Sequence, residues 1–454
     1  MSDSEDTDIS ETTTRYPTIV TKEWLENLII IHLHCQDPSS SHSSTATIDD
    51  FEINPGCIAG ESVLSDILAV KINYTLNQEK NQLNVIVKLL PHDPFSRFFV
   101  TEAQFHLREI KFYTQVVADL KNFQVTQLGT STDLPIPKLI HAHYKPAGDT
   151  EDSTTTTTPE PPESFLVLEN LCTQGFKGAP FSRGLTLRQT KAAIRAIGYI
   201  HALSLAFRVK DSKPLSERYP FLFQTARATD SYQQLVERGL PQLARFLERR
   251  QGLEDILKAL LALRKKTKEI ISSLLAPKDC PVSLITHTDF WCNNLLFKEK
   301  FTNTDDNDDN NDQDNGDDDD NNDNDNDNNT CECAILDWQM ITHSRPTNDI
   351  ALLIISSVPT KLRRHYTYIL LDKYWSTLTK TCQKLGLDIY EELNYSRQDL
   401  DKDYRKSQLL ALLLCIGSVD VALGDPLTEQ RLIDLLQDLY NDGILTFETA
   451  FEQQ

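Results

Sequence analysis

Two short segments hold the residues best suited to chemistry: HTDFWCNNLLF at 287–297 and ILDWQ at 335–339. Phosphoryl transfer asks little covalent chemistry of a protein, but it needs a carboxylate that orients the acceptor hydroxyl and oxygen ligands that hold magnesium beside a triphosphate. Asp289, Asn294 five residues on, and Asp337 beyond a hairpin meet that need. In this reading Asp289 accepts the hydroxyl proton, Asn294 and Asp337 hold the metal, Lys88 contacts the α- and β-phosphates, and Glu109 steadies Lys88. ATP and magnesium are the expected cofactors. His287 is expected to shape the loop through hydrogen bonds rather than act as a base, because Asp289 fills that role. Trp291 either touches substrate or packs within the loop, and its type alone leaves both open.

The elements that must position these residues can be read from periodicity. Two β-branched runs, 66–74 and 83–90, separated by polar residues 75–82, predict a hairpin that carries Lys88 among Val85, Ile86, Val87, Leu89 and Leu90. Residues 102–120 have helical spacing, with Phe105, Phe112, Tyr113, Val116 and Leu120 on one face and Glu109 in its middle. A carboxylate there either pairs with a cation such as Lys88 or reaches solvent at the edge of the stripe. The run FLVLENL at 165–171 predicts a buried strand that leads into a connector. Thr186 and Gln189 form a capping box opening a helix over 187–207, in which His201 reads as a core histidine. Strand-like pieces at 284–286, 294–297 and 333–336 flank an Asn/Asp run in an otherwise helical second half.

The 454 residues carry a formal charge of −22, but thirteen aspartates lie in the Asn/Asp run at 302–330, and without it the charge is −9. A mildly acidic body lacks the basic face that nucleic acid or an anionic membrane requires, so a small hydroxylated molecule is the expected partner. The oligomeric state is left open. Residues 1–20, 149–163 and 302–330 have too little apolar content to order themselves and are expected to be solvated chain. The lobes then read as 21–165 and 166–454. The run at 302–330 fails the EF-hand pattern around Gly316, where Asn311 and Asn322 would take the first and last ligand positions. Nine scattered cysteines and an acidic N-terminal stretch point to reduced thiols and a cytoplasmic setting. The longest uncharged apolar run, 409–419, is short of a membrane span.

HTDFWCNNLLF resembles the HGD-x-W-x-x-N-x-x-F signature of the ecdysteroid kinase-like family, within the choline kinase-like and aminoglycoside phosphotransferase-like group, and LDWQ resembles its DFQ element. PGCIAGESVLS at 55–65, NVIVKLL around Lys88, FHLREIKFY at 105–113, FLVLENLCTQGF at 165–176 and IGYIHALSLAF at 197–207 are similar to further family elements, in the same order. The resemblance covers roughly 50–425. It implies an α+β, bilobal, protein-kinase-like fold with a small β-rich first lobe and a mainly helical second. It also implies a phosphate loop containing Gly60 and Ser65, a nucleotide-binding hinge at Glu169 and Leu171, and Asp349 of the RPTNDI segment as a brace for the catalytic loop. The implied activity is phosphorylation of a hydroxyl on a lipophilic alcohol or steroid. A choline- or aminoglycoside-type kinase, and a pseudokinase that binds ligand without transfer, stand as alternatives. Three departures bear on activity: Thr288 stands where the family has Gly, Asn170 where it commonly has Asp, and Ser62-Val63 where it usually has Asn-Tyr.

Overall fold

The computed structural model describes residues 20–36, 46–57, 64–146, 163–276, 280–301 and 329–451. Gly60, Ser62 and Val63 lie outside the described residues, as do almost all of the three stretches expected to be solvated chain. The chain divides into two compact units, one comprising residues 1–102 and 138–170, the other 103–137 and 171–454.

In the first unit, α1 (Lys22–Gln36) covers a five-stranded antiparallel sheet made of β1 (Thr47–Pro55), β2 (Asp66–Leu76), β3 (Glu79–Leu89), β4 (Leu139–Lys145) and β5 (Glu163–Glu169) in the order β1-β2-β3-β5-β4. Alternation builds the core. Leu68, Val70 and Ile72 of β2 and Val85, Val87 and Leu89 of β3 pack with Leu25, Leu28 and Ile29 of α1. The same alternation turns Lys88 to the opposite face of β3, where it stands in register between Ile67 and Leu166. The polar stretch expected to separate the strands is mostly strand itself. Only Asn77 and Gln78 form the turn, both with positive φ (50° and 69°), as the twist of a two-residue hairpin requires. A short helix, α2 (Pro94–Glu102), ends this part of the unit.

The Glu109 segment groups with the second unit rather than with the sheet. It is a single helical run: α3 (Phe105–Lys111), a π-helical turn (Phe112–Val116) and α4 (Val117–Leu128). Its apolar stripe is buried, with Phe112 stacked on Trp338 at 4.1 Å. Arg108 is tied to the carbonyls of Phe221 and Ile341. These ties to distant segments explain why sequence proximity to the strands does not decide where the helix belongs.

The remainder of this unit is mainly helical: α5 (Leu187–Lys210), α6 (Leu215–Arg218), α7 (Thr225–Glu248), α8 (Glu254–Leu263), α9 (Thr267–Leu275), α10 (Thr347–Ser357), α11 (Thr360–Lys384), α12 (Ile389–Leu393), α13 (Arg397–Gly417) and α14 (Pro426–Asn441). The capping box at the start of α5 is present, with Gln189 N–H donating to Thr186 Oγ1 at 3.2 Å and Thr186 N–H to Gln189 Oε1 at 3.1 Å. By length and composition α5 is apolar enough to cross a membrane, but 78% of its most apolar window is buried inside the protein, where it packs on α11. Helices α7 and α13 cross at Gly239, where a Cβ would stand 1.8 Å from the carbonyl oxygen of Ile416, so only glycine permits the approach. Five short strands complete the unit: β6 (Lys177–Gly178), β7 (Leu284–Thr286), β8 (Leu295–Phe301), β9 (Asn329–Ile335) and β10 (Thr342–Ser344). β8 and β9 form a hairpin on which β6 pairs, and β7 pairs with β10.

Candidate active site

Strand β7 delivers the chain into the loop His287–Asn294. The hairpin that follows fixes what lies opposite, because Leu295 pairs with Ile335 and the N–H of Leu336 donates to the carbonyl of Asn294 at 2.9 Å. Asp337 therefore emerges beside Asn294, although 42 residues separate them in sequence. Its φ of 60° is a left-handed conformation that Asp tolerates better than most residues.

The loop is held from beneath by Asp349, at the start of α10 and fully buried. Its two carboxylate oxygens accept the N–H groups of His287 and Thr288, each at 2.7 Å. His201 Nε2 lies 3.1 Å from the same carboxylate while its Nδ1 meets Tyr374 Oη at 2.9 Å, so α5 and α11 both support the brace. Around His287, Nδ1 accepts from the N–H of Asp289 at 3.2 Å, which leaves Nε2–H to donate to the carbonyl of Leu336 at 2.7 Å. The imidazole thus joins the loop to the segment that carries Asp337.

Thr288 has φ 68°, the left-handed region that a β-branched side chain strongly disfavours. Its hydroxyl lies 2.7 Å from Thr342 Oγ1 and 3.1 Å from Thr286 Oγ1, which are 3.0 Å from each other. All three threonines are buried. The residue found in place of glycine is therefore embedded in a closed hydroxyl cluster at the foot of the loop.

Asn294 Nδ2 donates to both the carbonyl and Oδ2 of Asp289, each at 2.8 Å. This fixes the amide so that Oδ1 points away from those bonds, and among the described residues Oδ1 has no hydrogen-bond donor. An oxygen left open in this way, on a residue whose backbone adjoins the segment that carries Asp337, gives with the Asp337 carboxylate a donor set suited to magnesium, which needs few protein ligands when phosphates supply the rest. No group of three or more His, Cys, Asp or Glu side chains suited to a metal occurs among the described residues.

Asp289 opens part of its surface onto a cavity and is otherwise enclosed by protein. Burial, reinforced by the charge of Asp337, raises its pKa, and the neighbouring His287 and the bonds from Asn294 oppose the rise. The space between its lining residues, counting the part open to solvent, is about 650 Å³. Its wall is mostly apolar, with Leu352, Ile355, Val419, Leu432 and Leu435 prominent, and Trp291 and Phe181 meet edge-to-face beside Asp289. The Trp291 indole N–H is buried without an ideally placed acceptor, yet it is close enough to Asp289 to favour the ionised carboxylate.

Glu109 is 1% exposed, which removes the solvent-edge reading, and its Oε1 accepts the N–H of Trp338 at 3.1 Å. It is thereby tied to the residue that follows Asp337. Lys88 and Ser65 are buried in the first unit, and Glu169 ends β5 with its Oε2 accepting the N–H of Lys138 at 3.3 Å. Leu171, also buried, begins the longer segment of the second unit. Gly60 lies outside the described residues. The cavity wall from α10, α13 and α14 escaped sequence reasoning because its residues lie far apart and their only signal, helical apolar spacing, is shared by every core helix.

The sequence model of the ecdysteroid kinase-like family matches residues 59–307 and 322–387, well over half of the chain. The chain belongs to the ecdysteroid kinase-like family. This family is one of small-molecule kinases, and the fold of the present member is α+β, with a sheet-based first unit and a mainly helical second. Among solved structures, this ecdysteroid kinase-like chain is similar to a choline kinase from Cryptosporidium parvum Iowa II, with 12% identity and TM-score 0.40 over 94% of this chain and 100% of that one. It is also similar to a Plasmodium vivax ethanolamine kinase, with 11% identity and TM-score 0.41 over 87% and 85%. A choline kinase from Streptococcus pneumoniae matches with 11% identity and TM-score 0.34 over 92% and 99%. No curated protein matches the sequence.

Proposed function

We propose that this protein is an ATP- and magnesium-dependent kinase that phosphorylates a hydroxyl of a lipophilic alcohol or steroid. The observation that carries the proposal is the position of Asp289 on the wall of a largely apolar cavity. An acceptor seated there would present its hydroxyl to Asp289, whose ionised carboxylate orients it and takes its proton as the oxygen attacks the γ-phosphate. Asn294 Oδ1 and the Asp337 carboxylate would hold magnesium, which neutralises charge on the phosphates when bound. Lys88, with Ser65 and Gly60, is assigned to the phosphates, and Glu169 and Leu171 to the nucleotide base. Asp349 and His287 keep the loop in shape, and Glu109 fixes the segment after Asp337.

Choline- or amino-sugar-type acceptors would need an acidic and aromatic cage. Phe181 and Trp291 supply rings, but the cavity contains one carboxylate, Asp289, and also a cation, Arg431, so a cationic acceptor fits it less well. A pseudokinase is the reading that Thr288 suggests. Against it stand Asp289, Asn294 and Asp337, all present and grouped, with Thr288 held by hydrogen bonds. Thermal-shift titration tests the proposal. Stabilisation by magnesium-ATP and by a hydroxysteroid, with none by choline, supports it; stabilisation by choline alone would replace the lipophilic acceptor with a cationic one.

A further inference from the structure

The acceptor cavity contains a cation that the phosphoryl-transfer chemistry does not use. Arg431, on α14, is 8% exposed and lines the same wall as Asp289. Its Nη2 donates to the carbonyl of Phe181 at 2.8 Å, and its guanidinium carbon lies 4.6 Å from the centre of the Phe181 ring. Gly184, with φ 73°, leaves room for the group, since a Cβ there would stand 2.8 Å from Nη1. One carbonyl and one ring face hold the guanidinium; Asp425, just before α14, acts on it at longer range, but among the described residues no carboxylate lies within salt-bridge distance of it. Arg345 and Arg363, equally buried, pair with Asp403 at 3.1 Å and Asp438 at 2.8 Å. Arg108 also lacks an acidic partner, but it bridges two backbone carbonyls and has no large cavity in front of it.

A guanidinium largely withdrawn from water and without a close ion-pair partner is costly, and an anion that enters the cavity lowers that cost while gaining charge-assisted hydrogen bonds. Building on the kinase reading, we infer that the acceptor is a hydroxylated lipophilic carboxylate: its hydroxyl lies at Asp289, its apolar body fills the cavity, and its carboxylate pairs with Arg431. Arg431 is then a specificity-determining residue. It selects for an anionic acceptor and repels a quaternary ammonium. The rigid Phe181 contact orients the guanidinium, which favours a planar carboxylate over a lone hydroxyl.

The test uses a hydroxysteroid carboxylate and its methyl ester, which differ in charge and little in shape. Binding to the full chain is measured calorimetrically without nucleotide, for wild type, Arg431→Gln and Arg431→Lys, with melting temperatures to confirm that each variant is folded. The expected result is at least tenfold tighter binding of the acid than of the ester by wild type, a ratio near one for Arg431→Gln, and partial recovery for Arg431→Lys. Equal binding of acid and ester by wild type, binding of neither, or a preference that survives Arg431→Gln overturns the inference. Transfer of phosphate is measured separately. Acid-selective binding without transfer would sink the kinase reading alone, whereas transfer to the ester with no acid preference would sink only the role given to Arg431.

Discussion

Replacing Thr288 by alanine and by glycine separates two opposing contributions at the foot of the catalytic loop. The left-handed backbone at φ 68° costs a residue with a Cβ about 1–2 kcal/mol. The hydroxyl bonds to Thr342 and Thr286 return about 1 kcal/mol each. Thr288→Ala keeps the strain and loses the bonds. Thr286 and Thr342 still pair at 3.0 Å, so neither is orphaned, and the loss is limited to about 1–2 kcal/mol. Thr288→Gly loses the same bonds but releases the strain, at a further cost of roughly 0.5–1 kcal/mol in backbone entropy. The glycine variant is therefore expected within about 1 kcal/mol of wild type, and the alanine variant about 1 kcal/mol below glycine. Urea unfolding followed by tryptophan fluorescence, compared at equal m-value, measures both. An alanine variant as stable as the glycine variant would refute the reasoning, because it would mean that the position stores no left-handed strain.

Asp349→Asn places an amide NH₂ against backbone N–H groups that now share a carboxylate, so a loss of about 3–5 kcal/mol is expected, with faster hydrogen exchange at His287 and Thr288. Asp337→Asn is expected to weaken magnesium-dependent ATP binding at least tenfold by calorimetry with little change in melting temperature. His343, stacked on Phe223, is largely buried, and that burial lowers its pKa to about 4. Because the unfolded chain binds a proton below about 6.5 that the folded chain resists, stability is lost as pH falls from about 6.5 towards 4, by up to about 3 kcal/mol. His343→Phe should flatten that part of the stability–pH curve, and an unchanged curve would remove His343 as its cause. Replacing residues 302–328 by a tight turn should raise stability by roughly 2 kcal/mol, about 0.6 kcal/mol for each halving of the loop, since the ladder from Leu295–Ile335 to Phe301–Asn329 closes without them. A collapsed melting temperature would show that the run is structural.

Residues that act through local pattern could be read from the sequence. The β2–β3 hairpin, the capping box at Thr186 and the buried stripe from Phe105 to Leu120 follow from periodicity and from the hydrogen-bonding needs of a helix start. The grouping of Asp289, Asn294 and Asp337 was legible because a hairpin brings its two ends together whatever its length. β1 was not, since TIDDFEINP buries only Ile48 fully and its other side chains mimic a loop. The π-helical turn at Phe112 packs on Trp338, and the grouping of the Glu109 helix with the second unit arises from bonds to Phe221, Trp338 and Ile341. Sequence separation conceals all of these. The threonine cluster and the Arg431 wall were hidden for the same reason, because Thr286 meets Thr342 across a strand pair and Arg431 meets Phe181 across 250 residues.

The most direct test of the central claim is transfer of labelled γ-phosphate from ATP to hydroxysteroids, phenols, choline and amino sugars, with wild type beside Asp289→Asn. The account predicts a labelled product from a lipophilic acceptor that is lost in Asp289→Asn, while that variant still binds magnesium-ATP. Equal turnover by Asp289→Asn and wild type would contradict it, as would a product formed only from choline or an amino sugar.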